Sequence, residues 1–164
     1  MFTRWIEWLG NSPLAIYIQE DAIAFPMLEV LHVISIALVV GSIFIVDLRL
    51  MNLAGRTYPI SRLMRAVLPL TIIAFLSAAT TGFLMFSSQP ARYLATAPFV
   101  IKLVLLALAV VNMGVFHVWS HRRVAGWDTA VAMPVGARAA GAISFVLWIA
   151  ILVAGRFVGF MLDS

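Results

Sequence analysis

The chain has no cysteine. That excludes disulfides, thiolate nucleophiles, thiolate zinc sites and cysteine-ligated iron–sulfur clusters together. Charge is scarce as well: only 11% of the 164 residues are charged, against 63% hydrophobic, where a soluble domain carries about 25% charged residues. So little charge cannot coat a globular surface. The same scarcity excludes a disordered tail and a free nucleic-acid binder, despite a net charge of +4. Phosphate-binding glycine loops, a zinc-protease His pair with Glu between, and a nucleophile elbow are all missing. What remains is an integral membrane protein with a mean hydropathy of +1.06.

Long uncharged runs give the architecture. Residues 30–46, 66–91, 103–121 and 139–155 hold no Asp, Glu, Lys or Arg. A spanning helix needs about 20 apolar residues. The runs predict four transmembrane helices at about 26–50, 66–87, 98–121 and 137–161. Short connections predict an all-α, up-down-up-down bundle over 25–162. Residues 1–24 form a separate N-terminal segment. Trp5, Ile6, Trp8 and Leu9 beside Arg4 and Glu7 predict a short interfacial helix there, because amphipathic rings favour the headgroup layer. The polar residues scattered through 1–24 argue against a cleaved signal peptide.

The cations are ten Arg and one Lys. Arg49, Arg56, Arg62, Arg65, Arg122, Arg123 and Arg138 gather at the connections after the first and third spans. The positive-inside rule puts that side in the cytoplasm and both termini in the periplasm of a bacterial inner membrane.

Ionisable groups inside spans need partners or a task. Alternating helix direction puts Glu29, His32, Lys102 and Arg156 at one outer depth. The layer reads either as ion pairing, with Glu29 neutralising a cation, or as a cofactor pocket. In the second reading His32 ligates haem iron, Lys102 and Arg156 meet propionates, and Ser35, Gly41, Ser42, Ala78 and Gly82 leave room for the ring. At the opposite depth Met113, His117 and His121 share a helix face. They offer a thioether and two imidazoles to copper, or His117 serves a second haem. His32 and His117 lie roughly 18–25 Å apart along the membrane normal, so they do not share one iron. Asp47 and Arg49 read as a structural ion pair, and Asn112 as an interhelical hydrogen-bond donor. Gly155-x3-Gly159, Ala78-x3-Gly82 and Ala137-x3-Gly141 are close-approach stripes, within the bundle or at an oligomer seam.

Pro26-Met-Leu-Glu29-Val-Leu-His32, Val40-Gly41-Ser42, Asp47-Leu-Arg49, Leu68-Pro69, Gly82-Phe-Leu-Met-Phe86, Phe99-Val-Ile-Lys102, Asn112-x4-His117 and Ala154-Gly155-Arg156 together resemble an uncharacterised family of small bacterial four-helix inner-membrane proteins. The resemblance runs from about Trp5 onward and implies the four-helix architecture without an activity. Glu29, His32, Asp47, Arg49, Lys102, Asn112, His117 and Arg156 fall on its recurring polar positions; His121 does not. Small membrane b-type cytochromes are a looser analogy, though their facing His pairs are missing here. The expected function is haem b binding and electron transfer, as a carrier or a membrane oxidoreductase, in a homo-oligomer with a redox partner and the lipid bilayer as surroundings. Copper handling and a cofactor-free scaffold or channel are the alternatives.

Overall fold

A computed structural model of the chain describes residues 2–55, 58–119, 128 and 133–163. Among these residues there is no strand. The helices are α1 (Phe2–Gly10), α2 (Pro13–Glu20), α3 (Ala24–Leu50), α4 (Ile60–Ser88), α5 (Pro90–Ala95), α6 (Ala97–Trp119) and α7 (Val135–Asp163). The protein is an all-α membrane protein: α3, α4, α6 and α7 are each long and apolar enough to cross a bilayer. At ~1.5 Å per residue, 27 to 29 residues reach about 40 Å, past a hydrocarbon core of about 30 Å.

Large apolar side chains point outward. Val30, Leu31, Val33, Ile34, Leu38 and Ile45 of α3 are all exposed, whereas Ser35, Ser42 and Thr81 are buried. Lipid tails are as apolar as leucine, so apolar bulk gains nothing by hiding; small and hydroxylic residues let the helices approach. A hydroxyl seam follows between α3 and α4. Ser35 Oγ meets Ser77 Oγ at 2.8 Å and Ser42 Oγ meets Thr71 Oγ1 at 2.7 Å. Each such bond contributes about 0.6 kcal/mol in a membrane, enough to set rotation and register but not to hold the bundle alone.

Residue numbers fall along α3 as they rise along α4 in these pairs, so the two helices are antiparallel. Phe44 against Phe145 (centroids 4.3 Å apart) and Leu50 against Gly141 give α3 and α7 the same relation. Asn112 Nδ2 donates to the Ala140 carbonyl at 3.1 Å and Lys102 lies against Gly155, so α6 and α7 are antiparallel too. The main contacts are α3 with α4, α6 with α7, and α3 with α7. α4 and α6 meet near their ends. Phe86 stacks on Phe99 at 5.4 Å beside Tyr93 at one end. Leu50, Ile60, Met64, Phe116 and Ala137 form a core cluster at the other.

Three elements differ from the sequence expectation. The N-terminal segment holds two helices, not one. Ser12 caps α2, accepting from the Ala15 amide at 3.3 Å, and Pro13 starts it. α5 is an unforeseen turn of helix begun by Pro90, the position where a missing N–H costs nothing. α4 starts at Ile60 rather than about 66, because Arg62 and Arg65 are exposed on its first turns and do not interrupt a helix that begins outside the hydrocarbon.

That early start is capped from a distance. Asp128 Oδ1 accepts from the Ser61 amide at 2.8 Å, and Oδ2 accepts from the Ser61 hydroxyl at 2.7 Å. The Asp128 carbonyl also accepts from the Ile60 amide at 3.3 Å. The Ser61 hydroxyl and amide, helped by Arg65 and Arg49, hold the Asp128 carboxyl below the usual carboxylate range. A lowered folded-state value means the clasp contributes fully above the unfolded value of about 3.9 and is lost as pH falls through the lowered one. Asp128→Asn is therefore expected to lower the melting temperature near neutral pH, with the gap from the parent protein closing in acid. A gap that is the same at pH 7 and pH 3 would show that the carboxylate is not the stabilising form.

Candidate functional site

The residues that sequence reasoning grouped at one outer depth divide into two pairs. His32 and Lys102 face the bundle interior and are partly buried; Glu29 and Arg156 are exposed. Arg156 lies beside Phe157 and Phe160 in a shallow depression on the outside of α7. Depth along a helix follows from residue count, but direction around it depends on packing, which is why the four do not converge.

His32 is fixed by α4. Its Nδ1 lies 3.0 Å from Thr81 Oγ1. The Thr81 hydroxyl already donates to the Ser77 carbonyl at 2.8 Å, with the Ala78 carbonyl at 3.2 Å. A hydroxyl has one proton, so Thr81 can only accept from the ring. Nδ1 therefore carries the hydrogen, and Nε2 keeps its lone pair. This assignment comes from the hydrogen-bond network rather than from a visible proton.

Gly82 makes the arrangement possible. A Cβ there would lie 2.8 Å from His32 Cε1 and 3.4 Å from Nδ1. The space that sequence reasoning reserved for a cofactor beside Gly82 is filled by the imidazole itself. A Cβ at Gly41 would meet nothing within 4 Å, and the residue is exposed, so it does not line an interior slot either. Gly82→Ala is expected to push the ring off Thr81. Nitrogen NMR of His32 should show an Nδ1-protonated ring in the parent protein and a tautomer mixture in the variant. Unchanged spectra would mean that the close approach does not hold the ring.

Lys102 enters the same interior from α6. Its ammonium is electrostatically coupled to His32. It packs on Gly155, where a Cβ would lie 3.6 Å from Nζ. Among the described residues no carboxylate balances it, so the ion pairs expected from Glu29 are not formed. The interior at this level holds a cation, an imidazole and small residues: Ala78 and Ala154 are both buried.

The other predicted ligands are spread out. Met113 is 54% exposed. His117 is partly buried, its ring 6.3 Å from that of Phe116. His121 lies outside the described residues, as do Arg56, Arg122 and Arg123. Among the described residues no three His, Asp or Glu side chains come together as a metal-binding group. Fifteen residues separate Lys102, next to His32, from His117 on the same helix, which is about 22 Å along its axis.

The Asp47–Arg49 pair is a correction. Residues two apart on a helix point in different directions. Arg49, 1% exposed, donates from Nε to the Tyr58 carbonyl at 2.9 Å, while Asp47 turns to Ser144 of α7. Asp47 Oδ2 and both terminal nitrogens of Arg49 are buried with no hydrogen-bond partner among the described residues, so the two side chains do not bond each other. Sequence reasoning missed Thr81, although a hydroxyl next to Gly82 on a small-residue stripe was a usable signal.

No family model matches the chain, and no curated protein or solved structure matches it.

Proposed function

We propose that this protein binds haem b within the membrane and carries electrons. The observation that carries the reading is the 3.0 Å contact of His32 Nδ1 with Thr81 Oγ1. Thr81 Oγ1 accepts a hydrogen bond from Nδ1, and an imidazole whose far nitrogen is held in this way presents Nε2 as a ligand of set orientation and raised basicity. A neutral histidine nitrogen is the usual haem ligand. Lys102 adds a second argument. A partly buried ammonium without a carboxylate is costly in a low-dielectric interior, and a haem propionate is the kind of anion that would balance it.

In this reading His32 ligates iron, Lys102 meets a propionate, and Glu29 and Arg156 stay at the rim of the same outer layer. His117, about 22 Å deeper, serves a second site. Two redox centres at that spacing suit transfer across a bilayer to a separate partner. A single imidazole per site leaves the opposite axial position to Met, water or another copy of the chain, which is the reason to expect a homo-oligomer. The arginine-rich connections face the cytoplasm and both termini the periplasm of a bacterial inner membrane.

The test is an absorption spectrum with iron and copper quantification on the full chain, expressed with sufficient haem and purified in detergent. A Soret band with stoichiometric iron is expected. A colourless, iron-free and monodisperse preparation would overturn the reading. Stoichiometric copper without iron would replace it.

A further inference from the structure

We propose that Asp47 is a proton-binding site, a neutral acid buried in the α3–α7 seam that exchanges its proton with water beyond the nearby end of α3. This does not rest on the haem reading at His32, because Asp47 lies 15 residues further along α3, towards its other end, and ligates nothing in that reading.

Asp47 is 3% exposed. The helices pinch together around it: a Cβ on Gly141 of α7 would lie 2.9 Å from Leu50 Cβ and 3.1 Å from the Asp47 carbonyl oxygen. The Ser144 side chain bonds the carboxyl group, and Oδ2 has no partner among the described residues. The described charged or titratable groups at this end are Arg49 on α3, Arg62 and Arg65 on α4, His117 on α6 and Arg138 on α7, with Tyr58 and Asp128 in the connections, the latter bonded to Ser61. Arg62, Arg65 and Arg138 are exposed. Arg49 turns to Tyr58, and His117 is only partly buried. None of them is paired with the Asp47 carboxyl, whose hydrogen-bond partner is the Ser144 side chain.

An isolated carboxylate in such a place is far more costly than a neutral acid, and buried groups of this kind neutralise rather than stay charged. Protonation leaves one polar O–H on Oδ2 where there would have been a full charge. The location makes exchange feasible. Asp47 is three residues from Leu50, the last residue of α3, or about 4.5 Å along the axis. A proton taken from water on that side travels less than one helical turn to reach it, and returns the same way. The seam is therefore a place where the bundle can gain or lose one positive charge without moving an ion across the bilayer.

Infrared spectroscopy of the full chain in lipid nanodiscs tests this. At neutral pH the parent protein should show the carbonyl stretch of a protonated carboxylic acid. The band should shift in deuterated water, disappear in Asp47→Asn and move in Ser144→Ala, which removes the hydrogen-bond partner. It should also fade reversibly as the pH is raised. Asp47→Asn should keep a melting temperature close to that of the parent, since a neutral amide replaces a neutral acid of the same shape. Identical carbonyl spectra for the parent and Asp47→Asn would overturn the proposal. If that variant does not fold, Ser144→Ala decides: a displaced band supports the assignment and an unmoved one ends it.

Discussion

Replacing His32 with alanine should abolish the haem spectrum assigned to the outer layer, while His117→Ala should leave that component in place. The contrast follows from their places at opposite ends of the bundle: Lys102, on the side of His32, stands 15 residues from His117 along α6, about 22 Å. Thr81→Val is the sharper companion. It keeps the imidazole and nearly the same side-chain shape, but removes the oxygen that accepts from Nδ1. Replacing such a supporting partner typically weakens metal affinity about 10–100-fold. Haem titration of Thr81→Val should fall in that range, and His32→Ala should show no saturable binding in this layer. Equal affinities for the parent and Thr81→Val would remove the tautomer as the basis of the function. Loss of both spectral components from either histidine substitution, with the fold intact, would contradict independent sites.

Gly141→Ala should be the most destabilising single-methyl addition in the spans. The new Cβ would meet Leu50 Cβ at 2.9 Å and a backbone oxygen at 3.1 Å. Neither atom is the end of a flexible side chain, so α3 and α7 must move apart. Forcing a methyl group into packed surroundings costs about 1–3 kcal/mol, and the core around Leu50 and Ala137 lies beside it. Gly114 and Gly136 provide internal controls, because a Cβ at either meets nothing within 4 Å. There the same substitution should be neutral or slightly stabilising, as alanine is the better helix former by up to about 1 kcal/mol. Denaturant titrations in mixed micelles compare the three directly. Similar losses at Gly141 and Gly136 would show that close approach at the α3–α7 seam is not what the glycine provides.

The four spans were legible because hydrocarbon thickness imposes a length, and four runs of apolar residues satisfy it. Their ends were less legible. Arg62 and Arg65 stop the uncharged run but not α4, since a helix continues freely into the headgroup layer. The short helices α2 and α5 left signals in Ser12-Pro13 and Pro90 that hydropathy does not weigh. At the site, depth could be read and rotation could not. Counting residues placed Glu29, His32, Lys102 and Arg156 at one level, yet only packing decides that His32 and Lys102 turn inward. Asn112 bonds across helices to Ala140 as its position suggested. Asp47 and Arg49 fail as a pair because a spacing of two does not share a helical face. The role of Gly82 was read in reverse: it makes room for an imidazole rather than for a ring bound to one.

Asp128 belongs to the connection between α6 and α7, yet it completes the first turn of α4. During synthesis Ile60 and Ser61 are added to the chain well before residue 128 is. The leading amides of α4 must wait, bonded to water or headgroups, until the second hairpin is delivered. The last stitch that joins the two hairpins is thus a late event of biogenesis, and truncating the chain before that aspartate should leave the first hairpin inserted but frayed at its Ile60 end.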